Sequence, residues 1–323
     1  MSLPKITPLV PGVGRFISTA SMVLSVSLSL PHLPDRGSAV RAQAAVAAPG
    51  GSYTILAGVR AHGVESCLAA PLGTGPNSFS VRRHLRAADI HMLTEVLVGD
   101  IGVSLVLVEE NSYSTSVLTA GVEAEPTEAG LQRIELRPGD MVHISGADLS
   151  VPSAAQVLSQ WGSTLPDYVQ LVVSVSAAVG EVSPGVWPAI LSRADVVSMN
   201  IRESSILTEA LNATSPGTAL RHVLKPEAAV VRRLGVRGCE IQEHLGGKTV
   251  SVPAFRTKRK VDATGVGDTH LATMCARLLL GEGLLPACRQ ANAAAALMLS
   301  RETGLQVPTV EEIARVMDLG YVG

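Results

Sequence analysis

Hydrophobic and polar residues alternate one for one in a short stretch near the amino end. Leu24, Val26, Leu28 and Leu30 are separated by Ser25, Ser27 and Ser29. Successive side chains of a strand point to opposite faces, so this period of two predicts a half-buried strand. A turn follows at Pro34-Asp35-Arg36-Gly37, then a second extended piece to about residue 42. Residues 53–62 read as a helix that Gly63 can end, because glycine enters the left-handed conformation of a helix C-terminus freely. Strand and turn are expected over 64–74, and a helix and strand over 81–98. Serine-rich alternation at 100–108 and 114–118 predicts a hairpin wet on one face.

The pattern then changes. Short apolar runs at 141–146, 169–176 and 194–198 alternate with helical stretches at 151–160 and 187–192. Strand and helix in alternation predict a parallel sheet covered by helices, with ligands at the carboxyl ends of the strands. A further strand at 230–239 runs into a Gly-x-x-Gly turn, Gly235 to Gly238. Leu271, Met274, Cys275, Leu278 and Leu279 fall at i, i+3, i+4, i+7 and i+8, an amphipathic helix. Ala291-Asn292-Ala293-Ala294-Ala295-Ala296 begins a helix of small residues.

Composition narrows the class. The 323 residues are 46% hydrophobic and 17% charged, enough apolar material for a large core. Aromatics are only 3%, so that core is aliphatic. A net charge of −2 asks for neither nucleic acid nor an anionic membrane as partner. The four cysteines are widely spaced with no Cys-x-x-Cys, which suits a reducing cytoplasm. The eight histidines form no zinc pattern. Residues 15–30 have the outline of a signal peptide, but serine at every second place favours the strand. No apolar run reaches membrane-spanning length without interruption. Residues 1–15, with three prolines, read as a tail.

The candidate chemistry centres on Asp262-Ala263-Thr264-Gly265-Val266-Gly267-Asp268. Two glycines stand where a loop turns into a helix. Free amides and the helix dipole attract an anion there, and glycine lets it approach the backbone. Asp268 would repel that anion unless it has a task, such as taking a proton from an attacking hydroxyl. By itself the run also describes a capped helix with an acidic first turn. A dinucleotide-binding dehydrogenase is a poor fit: Gly12-Val13-Gly14 lacks a third glycine at the required spacing and a preceding strand.

The heptapeptide resembles the D-T-x-G-A-G-D motif of the ribokinase or PfkB family of carbohydrate kinases. The resemblance runs from about residue 16 to 318, strongest in the last third. It implies a ribokinase-like three-layer α/β/α sandwich, with a mostly parallel sheet and a small β-sheet lid at about 20–42 and 100–120. One domain would span 16–323. It further implies ATP-dependent transfer of a phosphoryl group to a hydroxyl of a sugar or sugar-like molecule, a nucleoside included. Asp268 would be the general base, and Gly265, Val266 and Gly267 the anion hole. Asn200-Ile201-Arg202-Glu203 matches the N-x-x-E motif that holds Mg²⁺ and phosphates; read alone, it is equally a helix capping box. In T-x-G-x-x-G, the nucleotide-phosphate element, Gly235 and Gly238 are present and Arg233 takes the Thr position, free to meet a phosphate or solvent. Asn292 would lie near the adenine, and Asp262 would help hold a monovalent cation such as K⁺.

The substrate side departs from the family. Its sugar-binding Asp falls at Ser25 and its Asn at Thr54, while the di-glycine, Gly50 and Gly51, is kept. A neutral hydroxyl holds sugar hydroxyls more weakly than a carboxylate. A substrate with fewer hydroxyls is therefore expected. A vitamin kinase of the wider superfamily is a further reading, and from another class, a degenerate relative that binds a metabolite and regulates. The intact base and anion hole oppose the regulator. A homodimer through the lid is expected, since exposed sheet edges seek cover.

Overall fold

A computed structural model describes residues 7–110, 114–258, 263–301 and 306–322. The strands of its main sheet share a simple composition. β1 (Phe16–Ser18), β10 (Met141–Ser145), β11 (Gln170–Ser174), β12 (Val196–Asn200) and β13 (Ala229–Arg233) are mostly apolar and end on a polar residue. Buried on both faces, such strands suit a parallel sheet. The elements between β1 and β10 are β2 (Leu24–Leu30), β3 (Ala44–Pro49), α1 (Tyr53–Ala61), β4 (Ser66–Leu68), β5 (Leu72–Gly73), α2 (Pro76–Ala87), β6 (His91–Met92), β7 (Val96–Leu97), β8 (Val103–Glu109), β9 (Ser114–Leu118) and α3 (Glu128–Gln132). Helices α4 (Pro152–Ser163) and α5 (Val186–Leu191) separate β10, β11 and β12, while α6 (Ile201–Ala210) and α7 (Pro216–Arg221) precede β13. The chain continues through β14 (Cys239–Gln242), β15 (Val250–Val252), β16 (Arg256–Thr257), α8 (Val266–Leu279), α9 (Leu284–Leu299), α10 (Val310–Leu319) and β17 (Tyr321–Val322).

The main sheet has the order β15-β14-β13-β12-β11-β10-β1-β4-β6. It is parallel from β13 to β6, and β14 and β15 are added antiparallel at one edge. From β1 the chain builds outward to β4 and β6, then returns to the other side of β1 and builds β10 to β13. That reversal opens a crevice at the carboxyl ends of β1 and β10, where open α/β sheets bind ligands.

Alternate residues feed two cores. Phe16, Met141, Val172, Val196 and Val231 face Leu56 of α1, Leu271 and Cys275 of α8, and Ala287 of α9. Ile17, Val142, Leu171, Val173 and Val197 face Leu158 and Trp161 of α4, Trp187 of α5 and Leu207 of α6. The result is a helix–sheet–helix sandwich. Beneath it, Arg15 and Asp140 form a buried ion pair at 2.6 Å, and the carboxylate also accepts the Arg15 and Arg137 amides.

The second sheet, β3-β2-β8-β9, is the expected lid. Strands β2 and β8 run parallel at its centre, with β3 and β9 antiparallel outside. Three boundaries differ from the sequence expectation. Strand β3 lies at 44–49, after the expected extended piece, because pairing with β2 rather than local propensity makes alanines extended. Helix α2 starts at Pro76, not 81, since the Asp100 carboxylate accepts the Asn77 and Ser78 amides (2.9 and 2.8 Å) and caps it from a distant segment. Helix α9 starts at Leu284 rather than Ala291; Pro286 sits in its first turn, where its missing amide costs nothing. Every residue of β2 before Leu30 is half-buried, so both faces of the lid are partly covered.

Candidate active site

Helix α8 begins on Gly265, whose φ of +72° is left-handed and favours glycine. Gly265 supplies no side-chain cap. The Val266 amide donates to the Ala263 carbonyl at 3.3 Å, and the amides of the first turn have no acceptor within the helix, so the positive end of the dipole faces the pocket. Asp268 stands in that first turn, half-buried. Loss of water pushes its pKa up; Arg233 pulls it back and Glu203 pushes it further up.

Opposite α8 lie the polar ends of the parallel strands. Together they enclose a pocket of about 250 Å³, lined by Ser145, Ser174, Ser176, Ser198, Asn200, Glu203, Arg233, Gly267 and Asp268, with Ile55 and Leu271 as its apolar wall. A second hollow of about 150 Å³ beside α3, lined by Glu95, Thr127 and Arg133 among others, contains none of these groups.

Asn200 ends β12 and caps α6. Its Oδ1 accepts the Glu203 amide at 2.9 Å, while Glu203 Oε2 accepts the Asn200 amide at 2.7 Å and Oε1 accepts Asn200 Nδ2 at 2.7 Å. The capping box is thus formed, and it also fixes a 5% exposed carboxylate at the pocket wall. Register pairs Asn200 with Arg233 across β12 and β13. Arg233 turns inward rather than to solvent: its side chain is 18% exposed and Nη2 donates to Glu203 Oε2 at 3.1 Å. Its guanidinium lies so close to the start of α8 that a methyl group on Gly267 would collide with Nη1.

Other predicted residues lie around this centre. Gly235 and Gly238, with φ of +61° and +93°, form the turn between β13 and β14. Asn292, buried in α9, donates to the carbonyls of Val252 and Pro253 at 3.0 and 3.1 Å, beside that turn and outside the pocket lining. Thr54 of α1 packs against Gly265. Ser25 in β2 lies against Gly50, and Gly51 against the Ser21 carbonyl, at the root of the lid. Asp262 lies outside the described residues.

The serine floor was not foreseen. Its signal was a serine at or near the carboxyl end of each of these strands: Ser145 and Ser174 end β10 and β11, and Ser198 lies two residues before the end of β12. Ser176 has a φ of +67°, uncommon for a residue with a side chain and found often at functional sites. Below the floor, His143 is buried between Ser18 (3.0 Å) and Ser174 (2.9 Å), and burial lowers its pKa to about 4, so the ring is neutral. The four cysteines are free and buried, and no helix among the described residues is long and apolar enough to cross a membrane.

The architecture has close counterparts among solved structures. Ribokinase from Thermotoga maritima superposes with a TM-score of 0.78 at 15% identity, covering 95% of this chain and 99% of that one. Ribokinase from Arabidopsis thaliana, complexed with ribose and ATP, gives 0.73 at 17% identity over 94% and 99%. Adenosine kinase from Sinorhizobium meliloti gives 0.78 at 16% identity over 95% and 100%. The fold is therefore ribokinase-like. In sequence, the chain is 28% identical over 295 residues to the uncharacterized sugar kinase YegV of Escherichia coli (strain K12), covering 90% of each. The sequence model of the pfkB family carbohydrate kinases matches residues 20–310. The chain belongs to that family and is a carbohydrate kinase, an enzyme class that phosphorylates sugar hydroxyls at the expense of ATP.

Proposed function

We propose that the chain transfers the γ-phosphoryl group of ATP to a hydroxyl of a sugar-like small molecule, with Asp268 as general base and Gly265, Val266 and Gly267 as anion hole. One observation carries this reading. Asp268 shares a pocket with the N-terminus of α8, with Asn200 and Arg233 from two strand ends and with Glu203 from the first turn of α6. A base and a focus of positive charge then meet the same small volume, which phosphoryl transfer needs.

Asp268 would take the proton of the acceptor hydroxyl. Burial raises its proton affinity toward that task, and Arg233 opposes the rise. The amides at the start of α8 would receive the charge that develops on the phosphoryl oxygens. The described residues hold no group of three or more His, Cys, Asp and Glu arranged as a metal site. A hydrated ion held by one carboxylate and one amide fits the Asn200–Glu203 pair, because Mg²⁺ keeps several waters. When bound with the nucleotide, Mg²⁺ would neutralise phosphate charge.

The acceptor side is built from hydroxyls and apolar groups: Ser25 and Thr54 near the glycines, with Ile55 and Leu271 on the pocket wall. That surface favours an acceptor with fewer hydroxyls than ribose, such as a nucleoside or a deoxy sugar. The test is ADP release from Mg-ATP against sugars, nucleosides and vitamin alcohols. Turnover with a nucleoside or deoxy sugar above that with fully hydroxylated pentoses supports the reading. A reverse order refutes the acceptor assignment.

A further inference from the structure

The pocket carries a charge that base and anion hole leave unexplained. Arg233 brings a guanidinium to the N-terminus of a helix, where the dipole is already positive. A cation there is unfavourable unless an anion joins it. Among the described residues Glu203 pairs with it at 3.1 Å through Nη2, and the Asp268 carboxylate in the first turn of that helix also attracts it. Arg233 Nε is buried with no hydrogen-bond partner. Two residues back along the neighbouring strand, on the same face, Ser198 Oγ is also unpartnered; Ser198 is 1% exposed and lines the same pocket. Buried donors are rarely left unpaired, and a pair of them around an open pocket marks a missing acceptor.

We propose that Arg233 is a catalytic residue that binds the transferred phosphoryl group beside the α8 amides. The proposal rests on the reading of this pocket as the phosphoryl-transfer site. A guanidinium is planar and always charged, and its fork matches two phosphate oxygens at once. In the transfer, a bond forms between the acceptor oxygen and the γ-phosphorus. The bond from that phosphorus to the β–γ bridging oxygen breaks, its electron pair leaves with ADP, and the acceptor proton goes to Asp268. Arg233 spans the equatorial oxygens through this change, and Ser198 stands behind it as a neutral donor. Glu203 holds the guanidinium in place before the nucleotide arrives.

The test compares Arg233→Met, Arg233→Lys and Asp268→Asn in the full chain, with thermal unfolding as a check on folding. A non-hydrolysable ATP analogue and ADP are each titrated by calorimetry without acceptor, and kcat is measured on the best acceptor of the panel. The expected result is loss of the preference for the ATP analogue over ADP in Arg233→Met, with kcat lower by on the order of 10²–10³-fold. Arg233→Lys recovers part of the binding preference and little of kcat, because it keeps charge without the fork. An unchanged preference and a kcat within about twofold of wild type in Arg233→Met overturn the proposal. Equal weakening of both nucleotides, tracking lost thermal stability and restored by lysine, also overturns it. Wild-type kcat in Asp268→Asn refutes instead the underlying assignment of the base, so the two failures are distinguishable.

Discussion

The proposed phosphoryl-transfer end and the proposed acceptor end of this molecule are built in different ways. At the first, a short glycine-containing helix entry and the ends of adjacent strands would set the chemistry through backbone geometry: a left-handed Gly265, the amides of the first turn and a capping box. At the second, Ser25 comes from a lid strand and lies against Gly50 of a loop, while Thr54 and Ile55 come from a helix, Thr54 against Gly265 and Ile55 on the pocket wall. The phosphoryl group is common to every reaction of this kind, so its site tolerates little change. The acceptor varies, and a site made of exchangeable side chains on a separate sheet can vary with it.

If the core is the fixed partner and the lid the adjustable one, the largest effects belong beneath the core. Asp140→Ala removes the carboxylate under Arg15 and four amide or guanidinium contacts, leaving a buried charge unpaired. Breaking such a pair costs about 3–5 kcal/mol, read by urea unfolding. At the joint between core and lid, Asp148 accepts the Ser21 amide at 3.1 Å and is buried, which raises its pKa to about 6. The folded state thus prefers the protonated acid. Its stabilisation is complete below about pH 4, near the unfolded pKa, and is lost as pH rises through about 6. Asp148→Asn therefore gains stability relative to wild type between pH 4 and pH 8, by up to about 3 kcal/mol, measured as the change in their unfolding difference.

Smaller effects sharpen the contrast. Gly265→Val forces a β-branched residue into the left-handed region at about 1–2 kcal/mol and disturbs the anion hole, so kcat falls more than KM rises. In the lid, Ser25→Asp introduces a charged acceptor of hydrogen bonds. It should lower KM for polyhydroxylated sugars by about fivefold with thermal stability nearly unchanged. Val117 and Leu118 stand 53% and 71% exposed on the outer strand β9. If they cover a second copy, Val117→Lys shifts sedimentation toward monomer and leaves kcat within about twofold.

The same division explains what could be read from the sequence. The α8 entry was legible because its residues are contiguous and glycine has a local meaning there. The alternating strands and helices were legible because burial on two faces writes apolar runs. The serine floor was not, since Ser145, Ser174 and Ser198 belong to separate strands that only the parallel register places side by side. Arg233 was visible as a departure, yet its direction was set by Glu203, thirty residues earlier in the chain. The cap on α2 comes from Asp100 and the extended form of β3 from β2, both tertiary effects on weak local signals.

The most direct test of the account is ADP release by Asp268→Asn beside wild type, with Mg-ATP and the acceptor panel. The account predicts turnover of at least one hydroxylated acceptor by wild type and a loss on the order of 10²–10⁴-fold in the variant, with ATP still bound. Turnover in the variant equal to wild type would contradict the assignment of Asp268 as the base and, with it, the reading of the pocket at the start of α8.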